Sequence, residues 1–140
     1  TTYTEGYLQL TYYATDGIND YLQGENNGKV YTISPSVYTD DGTYINTVIR
    51  TPRIDFGNTK RKFMSRLEVV ADKVVANGYI RYSDDDYNTW TPTPAVNMNA
   101  SRTLLNRMGH FRRRAFEFRF VDNAPLRIEA LEVDIEQGTS

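Results

Sequence analysis

Hydrophobic and polar residues alternate with a period of two along most of this chain, and turn residues punctuate the alternation. That pattern predicts short β-strands, each with one buried face. Leu8, Leu10 and Tyr12 share one parity between residues 7 and 13. Residues 18–22 and 29–33 read as two more short strands, separated by the turn cluster Gly24-Glu25-Asn26-Asn27-Gly28 and stopped by Pro35. After the turn Asp40-Asp41-Gly42, residues 43–50 alternate, with Ile45, Thr47 and Ile49 on one face. Pro52 breaks that run, and Ile54 and Phe56 resume it.

Stronger strands follow. Lys60-Arg61-Lys62 reads as the exposed edge of a turn. Phe63, Ser65, Leu67 and Val69 then alternate with Met64, Arg66, Glu68 and Val70. Asn77-Gly78 is the best two-residue hairpin signal, the dipeptide favoured by a type I′ turn. Pro92 and Pro94 impose an extended stretch without ladder donors. Residues 100–108 fit a short helix or a loop. Residues 111–121 predict one strand, with Phe116, Phe118 and Phe120 on one face and Arg113, Ala115, Glu117 and Arg119 on the other. Carried back, the same alternation puts Arg112 and Arg114 on the phenylalanine face. In the last segment Leu126, Ile128 and Ala130 have one parity, while Leu131, Val133 and Ile135 have the other. A single period-two strand cannot hold both sets on one face, so a β-bulge or a switch between sheets is predicted near Ala130-Leu131.

The segment Ser83-Asp84-Asp85-Asp86-Tyr87-Asn88-Thr89-Trp90 matches the Asp-box pattern S-x-D-x-G-x-T-W, except that Tyr87 stands in place of Gly. The pattern is a folding device. Ser83, Asp85 and Thr89 are expected to hydrogen-bond a tight turn, and Trp90 to pack its ring under the hairpin. Asp84, Asp86 and Asn88 also have the spacing of the first ligands of a calcium loop. However, Thr89 occupies the slot that needs Gly, and Ala95 the slot that needs a bidentate Glu, so no metal is expected.

Composition narrows the class. The 140 residues include 11 Tyr, 6 Phe and 1 Trp but no Cys, with a hydrophobic fraction of 39% and a formal charge of −2. The aromatics suit a packed β core, and the missing thiols exclude a disulfide framework and thiol catalysis. No apolar run approaches about 18 residues, so no helical membrane span is predicted. The chain opens on Thr1-Thr2-Tyr3, and the expectation is a piece of a longer or processed polypeptide. His110 is the sole histidine and reads as a turn residue beside Gly109. No nucleophile elbow accompanies it, and neither catalytic nor cofactor-binding residues are expected. Arg107, Arg112, Arg113, Arg114 and Arg119 are the notable cluster. They split over both faces of the predicted strand, which favours aromatic stacking and pairing with Asp or Glu, within the chain or across subunits, over one exposed nucleic-acid stripe. The tyrosines of the first 44 residues suit strands and subunit interfaces, with a sugar-binding platform as the other reading.

Two sets of residues carry a resemblance. Gly28-Lys29-Val30-Tyr31-Thr32-Ile33-Ser34-Pro35, ending in Tyr38-Thr39-Asp40-Asp41-Gly42, is similar to the last propeller-type blade of phage tail hub and nozzle proteins. The 83–90 hairpin, the strand Gly109-His110-Phe111-Arg112-Arg113-Arg114-Ala115-Phe116-Glu117-Phe118-Arg119 and the acidic final strand 125–135 resemble the C-terminal region of packaged-DNA stabilisation and head-closure proteins of short-tailed bacteriophages. The resemblance implies a non-enzymatic virion protein of the neck or tail, assembled in the host cytoplasm and needing no cofactor. It implies a ring, a hexamer for example, that closes the portal channel, touches portal, adaptor or tail proteins, and contacts packaged DNA without sequence preference. The fold expected is all-β: an antiparallel, jelly-roll-like β-sandwich over residues 43–140, preceded over residues 1–42 by strands of a blade-like domain. The alternative expectation is a non-catalytic carbohydrate-binding β-sandwich module.

Overall fold

The computed structural model describes residues 10–139, so Tyr3, Tyr7 and Leu8 of the first predicted strand lie outside the described residues. The fold is all-β, with several antiparallel sheets. Strands β1 (Leu10–Thr15), β2 (Asp20–Gly24) and β3 (Val30–Ile33) form a three-stranded sheet in that order. Its first turn is set by the Asp16 carboxylate, which accepts the amides of Asn19 (2.7 Å) and Ile18 (2.8 Å) and the Tyr21 hydroxyl (3.0 Å). These bonds pull its pKa down to about 2. Next, β4 (Thr39–Asp40) and β5 (Thr43–Tyr44) make a hairpin. Its two turn residues, Asp41 and Gly42, both have positive φ, the type I′ geometry.

Two four-stranded sheets follow. In one, β6 (Thr47–Arg50), β12 (Ala115–Phe120), β8 (Asn77–Ser83) and β9 (Ala95–Asn97) pair in that order. The other is centred on β7 (Lys62–Ala71). There β13 (Ile128–Gln137) lies along one side of β7, while β10 (Thr103–Asn106) and β11 (His110–Phe111) lie along the other. The buried apolar cluster takes side chains from both sheets, including Met64, Leu67, Ile80, Phe116, Phe118 and Phe120.

Several sequence expectations need correction. The run predicted at 43–50 is divided: β5 pairs with β4, whereas β6 joins another sheet as the partner of β12. The segment 100–108 holds strand β10, because pairing with β7 overrides its weak local preference. Asn77-Gly78 is not a turn; both residues sit inside β8. Gly78 is there for space. A Cβ at this position would lie 2.7 Å from Phe118 Cε2, 2.9 Å from its Cζ and 3.0 Å from Met98 Sδ. Lys62 is not an exposed turn residue but is 1% exposed. Its Nζ donates to the carbonyls of Asn58 (2.6 Å), Lys60 (2.8 Å) and Arg112 (3.0 Å), which offset the cost of burying the ammonium.

Both long strands of the β7 sheet carry bulges. In β7, Arg66 faces Asp134 and Met64 faces Ile135, so Ser65 is the extra residue. The phase change lets Lys62 and Met64 share the buried face with Leu67 and Val69, which a strict alternation forbids. In β13 the shift falls between Ile128 and Ala130, slightly upstream of the predicted place. It brings Ile128 onto the same side as Leu131, Val133 and Ile135, all of which pack on the core. The strand predicted at 111–121 is interrupted at residues 112–114, separating β11 from β12.

Gly78→Ala is therefore expected to destabilise the fold by about 1–3 kcal/mol through overpacking. Urea denaturation would show a lower midpoint at unchanged slope. An unchanged or raised midpoint would mean that the Phe118 ring does not set the space.

Candidate functional site: the arginine–carboxylate joint around residues 83–90

The loop after β8 is built by two side chains. Ser83, buried at the end of the strand, donates to Asp85 Oδ1 (2.8 Å) and accepts the Tyr87 amide (3.0 Å). Asp85 accepts the Thr89 amide (2.8 Å) and the Thr89 hydroxyl (2.5 Å). The Thr89 hydroxyl, then the Thr89 amide, then Ser83 hold the Asp85 carboxyl below its ordinary pKa. Tyr87, at the position where the pattern has Gly, has φ 73°. It adopts the left-handed backbone that Gly takes freely, at a cost of about 1–2 kcal/mol for a residue bearing a Cβ. Its ring reaches Trp90 (centroids 6.0 Å) and its hydroxyl donates to the Thr51 carbonyl (3.3 Å).

The two flanking aspartates each hold arginine. Arg114 is 1% exposed. Its Nε and Nη2 donate to Asp84 Oδ1 (2.7 Å) and Oδ2 (2.8 Å), and its Nη1 donates to the Met108 carbonyl (2.6 Å). The guanidinium also stacks on Tyr82 (3.7 Å) and Phe111 (4.2 Å). Each of its three nitrogens has an acceptor and two aromatic rings lie against it, which a lysine could not reproduce. Asp86 Oδ2 accepts from Arg113 Nη2 (2.8 Å) and forms an ion pair with Arg53 Nη1 (2.9 Å). The three aspartates are thus turned to separate tasks and do not converge as a calcium cup, and the described residues contain no cluster of His, Cys, Asp or Glu suited to a metal.

A second joint lies on the other face of β12. Glu117, 2% exposed, has Arg50 of β6 and Arg81 of β8 directly opposite in register. Arg81 Nε donates to Glu117 Oε1 (2.7 Å), Arg50 Nε donates to Oε2 (2.9 Å), and Arg50 Nη2 also contacts Oε2. Burial alone would raise the Glu117 pKa. Hydrogen bonds from Arg81 and Arg50 outweigh it and bring the pKa below 4.5. Trp90 closes the loop beside this second joint. It is half-buried and takes the guanidinium of Arg81 at 4.7 Å and that of Arg50 at 5.1 Å.

The five arginines singled out in the sequence do not come together. Arg114 is a core residue and Arg113 an ion-paired one. Arg112 is exposed and donates to the Thr59 carbonyl (2.8 Å). Arg107 is exposed, with φ 58°, in the kink between β10 and β11. Arg119 is exposed on β12, in the other sheet. Among the described residues no carboxylate lies within ion-pair distance of Arg107, Arg112 or Arg119. Sequence reasoning missed Lys62, Arg50, Arg81 and Glu117 as partners. The available signal for Glu117 was a charged residue set among phenylalanines in the strand richest in them.

No protein-family model matches the chain, and no curated protein matches it. Chemically, the joint binds carboxylates to guanidiniums, with Asp86 Oδ1 the one buried side-chain oxygen that lacks a partner among the described residues. It ties the loop to the strands on either side.

Two outcomes test it. Asp84→Asn should cost about 1–3 kcal/mol in chemical denaturation, because the buried Arg114 loses its counter-ion although the partly exposed amide keeps one acceptor. Glu117→Gln should destabilise the protein at neutral pH by about 1–3 kcal/mol. Since the folded-state pKa of Glu117 is depressed, its contribution is present above its ordinary value of 4.5 and is lost as pH falls through the lower folded value. The gap between wild type and Glu117→Gln should therefore close in acid, and a pH-independent gap would sink the assignment.

Proposed function

We propose that this chain is a structural assembly module whose surfaces join neighbouring subunits. The observation that carries the reading is the distribution of exposed apolar side chains. Ten of the thirteen large hydrophobic residues exposed among the described ones lie between residues 12 and 49. Tyr12 is 72% exposed, Ile18 91% and Val30 68%. Scattered single residues need no explanation, but their concentration in just over a quarter of the chain supports a contact region there. The core cluster, in contrast, draws its members and the residues packed on them from residue 56 onward. This sets the first part of the chain apart from the core, and we read the border near residues 34–42, with a blade-like end of a preceding domain before it. After it, we propose, the two four-stranded sheets form a jelly-roll-like sandwich.

The resemblance to head-closure and tail-hub proteins specifies the setting: a ring in a phage neck or tail that joins subunits, closes the portal channel and helps retain packaged DNA. Supporting this, the carboxylates of the candidate joint are committed to arginines, as suits rigid scaffolding. Arg119, exposed on β12 and away from the β7 sheet, is the arginine of the five left for backbone-directed contact with DNA.

Exposure of Tyr12 and Tyr13 is the observation that favours a carbohydrate-binding module instead. Consecutive strand residues point to opposite faces, however, so these two do not make one platform.

Sedimentation and negative-stain electron microscopy of the protein decide between them. Closed rings are expected, and the double variant Tyr12→Ser/Val30→Ser should weaken association while leaving the thermal midpoint within about 2 °C of wild type, as surface changes do. A monomer at every concentration that binds glycans would overturn the assembly reading.

A further inference from the structure

The sheet centred on β7 has two edges of opposite charge. On one side, β13 is ten residues long, and its charged residues are Glu129, Glu132, Asp134 and Glu136, all exposed. On the other side, the β10–β11 row has no acidic residue between Trp90 and Glu117 and carries Arg102, Arg107 and Arg112, all exposed. Some of these charges are satisfied within the chain. Asp134 pairs with Arg66 (2.9 Å), Glu129 with Arg127 (3.3 Å), and Arg102 with Glu68. Glu132 and Glu136 on one edge, and Arg107 and Arg112 on the other, have no ion-pair partner among the described residues. Among the described residues no strand is hydrogen-bonded to the outer side of either edge; β9 lies near the start of β10, where the Thr103 hydroxyl donates to the Asn97 carbonyl, and the Arg107–Arg112 end lies beyond that contact.

Sheet edges are ordinarily protected by shortness, lysine or proline. The β13 edge is long and has neither Lys nor Pro. Its acidic row repels a second β13, and the arginines repel a second β10–β11 edge, so two-fold pairing of like edges is disfavoured from both sides. The acid-to-base combination is the one that charge permits. It is heterologous, and such contacts close into a ring when the rotation between copies allows. β13, β10 and β11 all run antiparallel to β7, so they run the same way. A second copy in similar orientation would continue the sheet through a parallel pair.

We propose that copies of this chain associate edge to edge, the acidic edge of β13 in one copy lying against the Arg107–Arg112 edge of the next. This rests on the assembly reading and names its contact. Main-chain hydrogen bonds would supply the pairing, and the carboxylate–guanidinium contacts its direction and register.

The test reverses the edges separately on nuclease-treated protein at low salt. Glu132→Lys/Glu136→Lys makes both edges basic, and Arg107→Glu/Arg112→Glu makes both acidic. By analytical ultracentrifugation each variant should self-associate roughly a hundredfold more weakly than wild type, the scale of opposed like charges at an interface. Mixing the two variants should restore association, as should one chain carrying all four changes, which also reports folding. Wild-type rings that persist in both variants would overturn the edge pairing and leave the assembly reading standing. A wild-type chain that stays monomeric at low salt would overturn both. Association that vanishes on nuclease treatment would show the basic edge holding nucleic acid and would equally overturn the pairing.

Discussion

A guanidinium stays charged inside a protein, so burying Arg114 obliges its surroundings to provide acceptors and aromatic faces. Those groups come from four places in the chain. Asp84 is held out by the loop after β8, the Met108 carbonyl by the kink between β10 and β11, and the rings by Tyr82 and Phe111. Removing Asp84 takes away the counter-ion of a buried cation and is the costliest loss of the four, whereas an aromatic face is worth about 0.5–2 kcal/mol. The break between β11 and β12 has a local role here. With Ile54 bridging Arg114 by main-chain bonds of 2.9 and 3.0 Å, the backbone is pinned where the side chain turns inward.

Strand β12 extends the same logic. Four successive residues, Ala115 to Phe118, are buried, so both of its faces are covered. Phenylalanines fill one side, and Glu117 sits on the other beneath two arginines and a tryptophan. A carboxylate in that position is tolerable because its neighbours in register are Arg50 and Arg81, and the guanidiniums in turn find the Trp90 ring. The loop that supplies Asp84 to one joint therefore supplies Trp90 to the other. This dual use explains why a short turn motif matters to a sheet much larger than itself.

The proposed assembly draws on a different part of the surface. Residues that hold the fold are spent on one another, whereas the apolar residues of β1 to β6 and the charged edges of the β7 sheet are left facing outward. Rigid centre and available periphery are what a ring subunit needs, since many modest contacts add up only if each subunit presents them in a fixed geometry.

The strand character of the chain was legible from alternation alone, because a period of two is written into residue order. So was the need for a bulge in the last strand: Ile128 and Leu131 have incompatible parities whatever they pack against. The turn chemistry of Ser83, Asp85 and Thr89 is local for the same reason, its longest reach being four residues. What residue order does not contain is which strand lies beside which. Asn77-Gly78 has the composition of a turn and is a strand, because the ring of Phe118, forty residues away, needs the space a side chain would take. Ser65 becomes a bulge because β10, β11 and β13 must all match β7. Glu117 reads as a surface residue by parity and is buried, because strands from residues 47–50 and 77–83 bring arginines to it. Contacts between residues distant in sequence decided those points, and they exist once the sheets have closed around them.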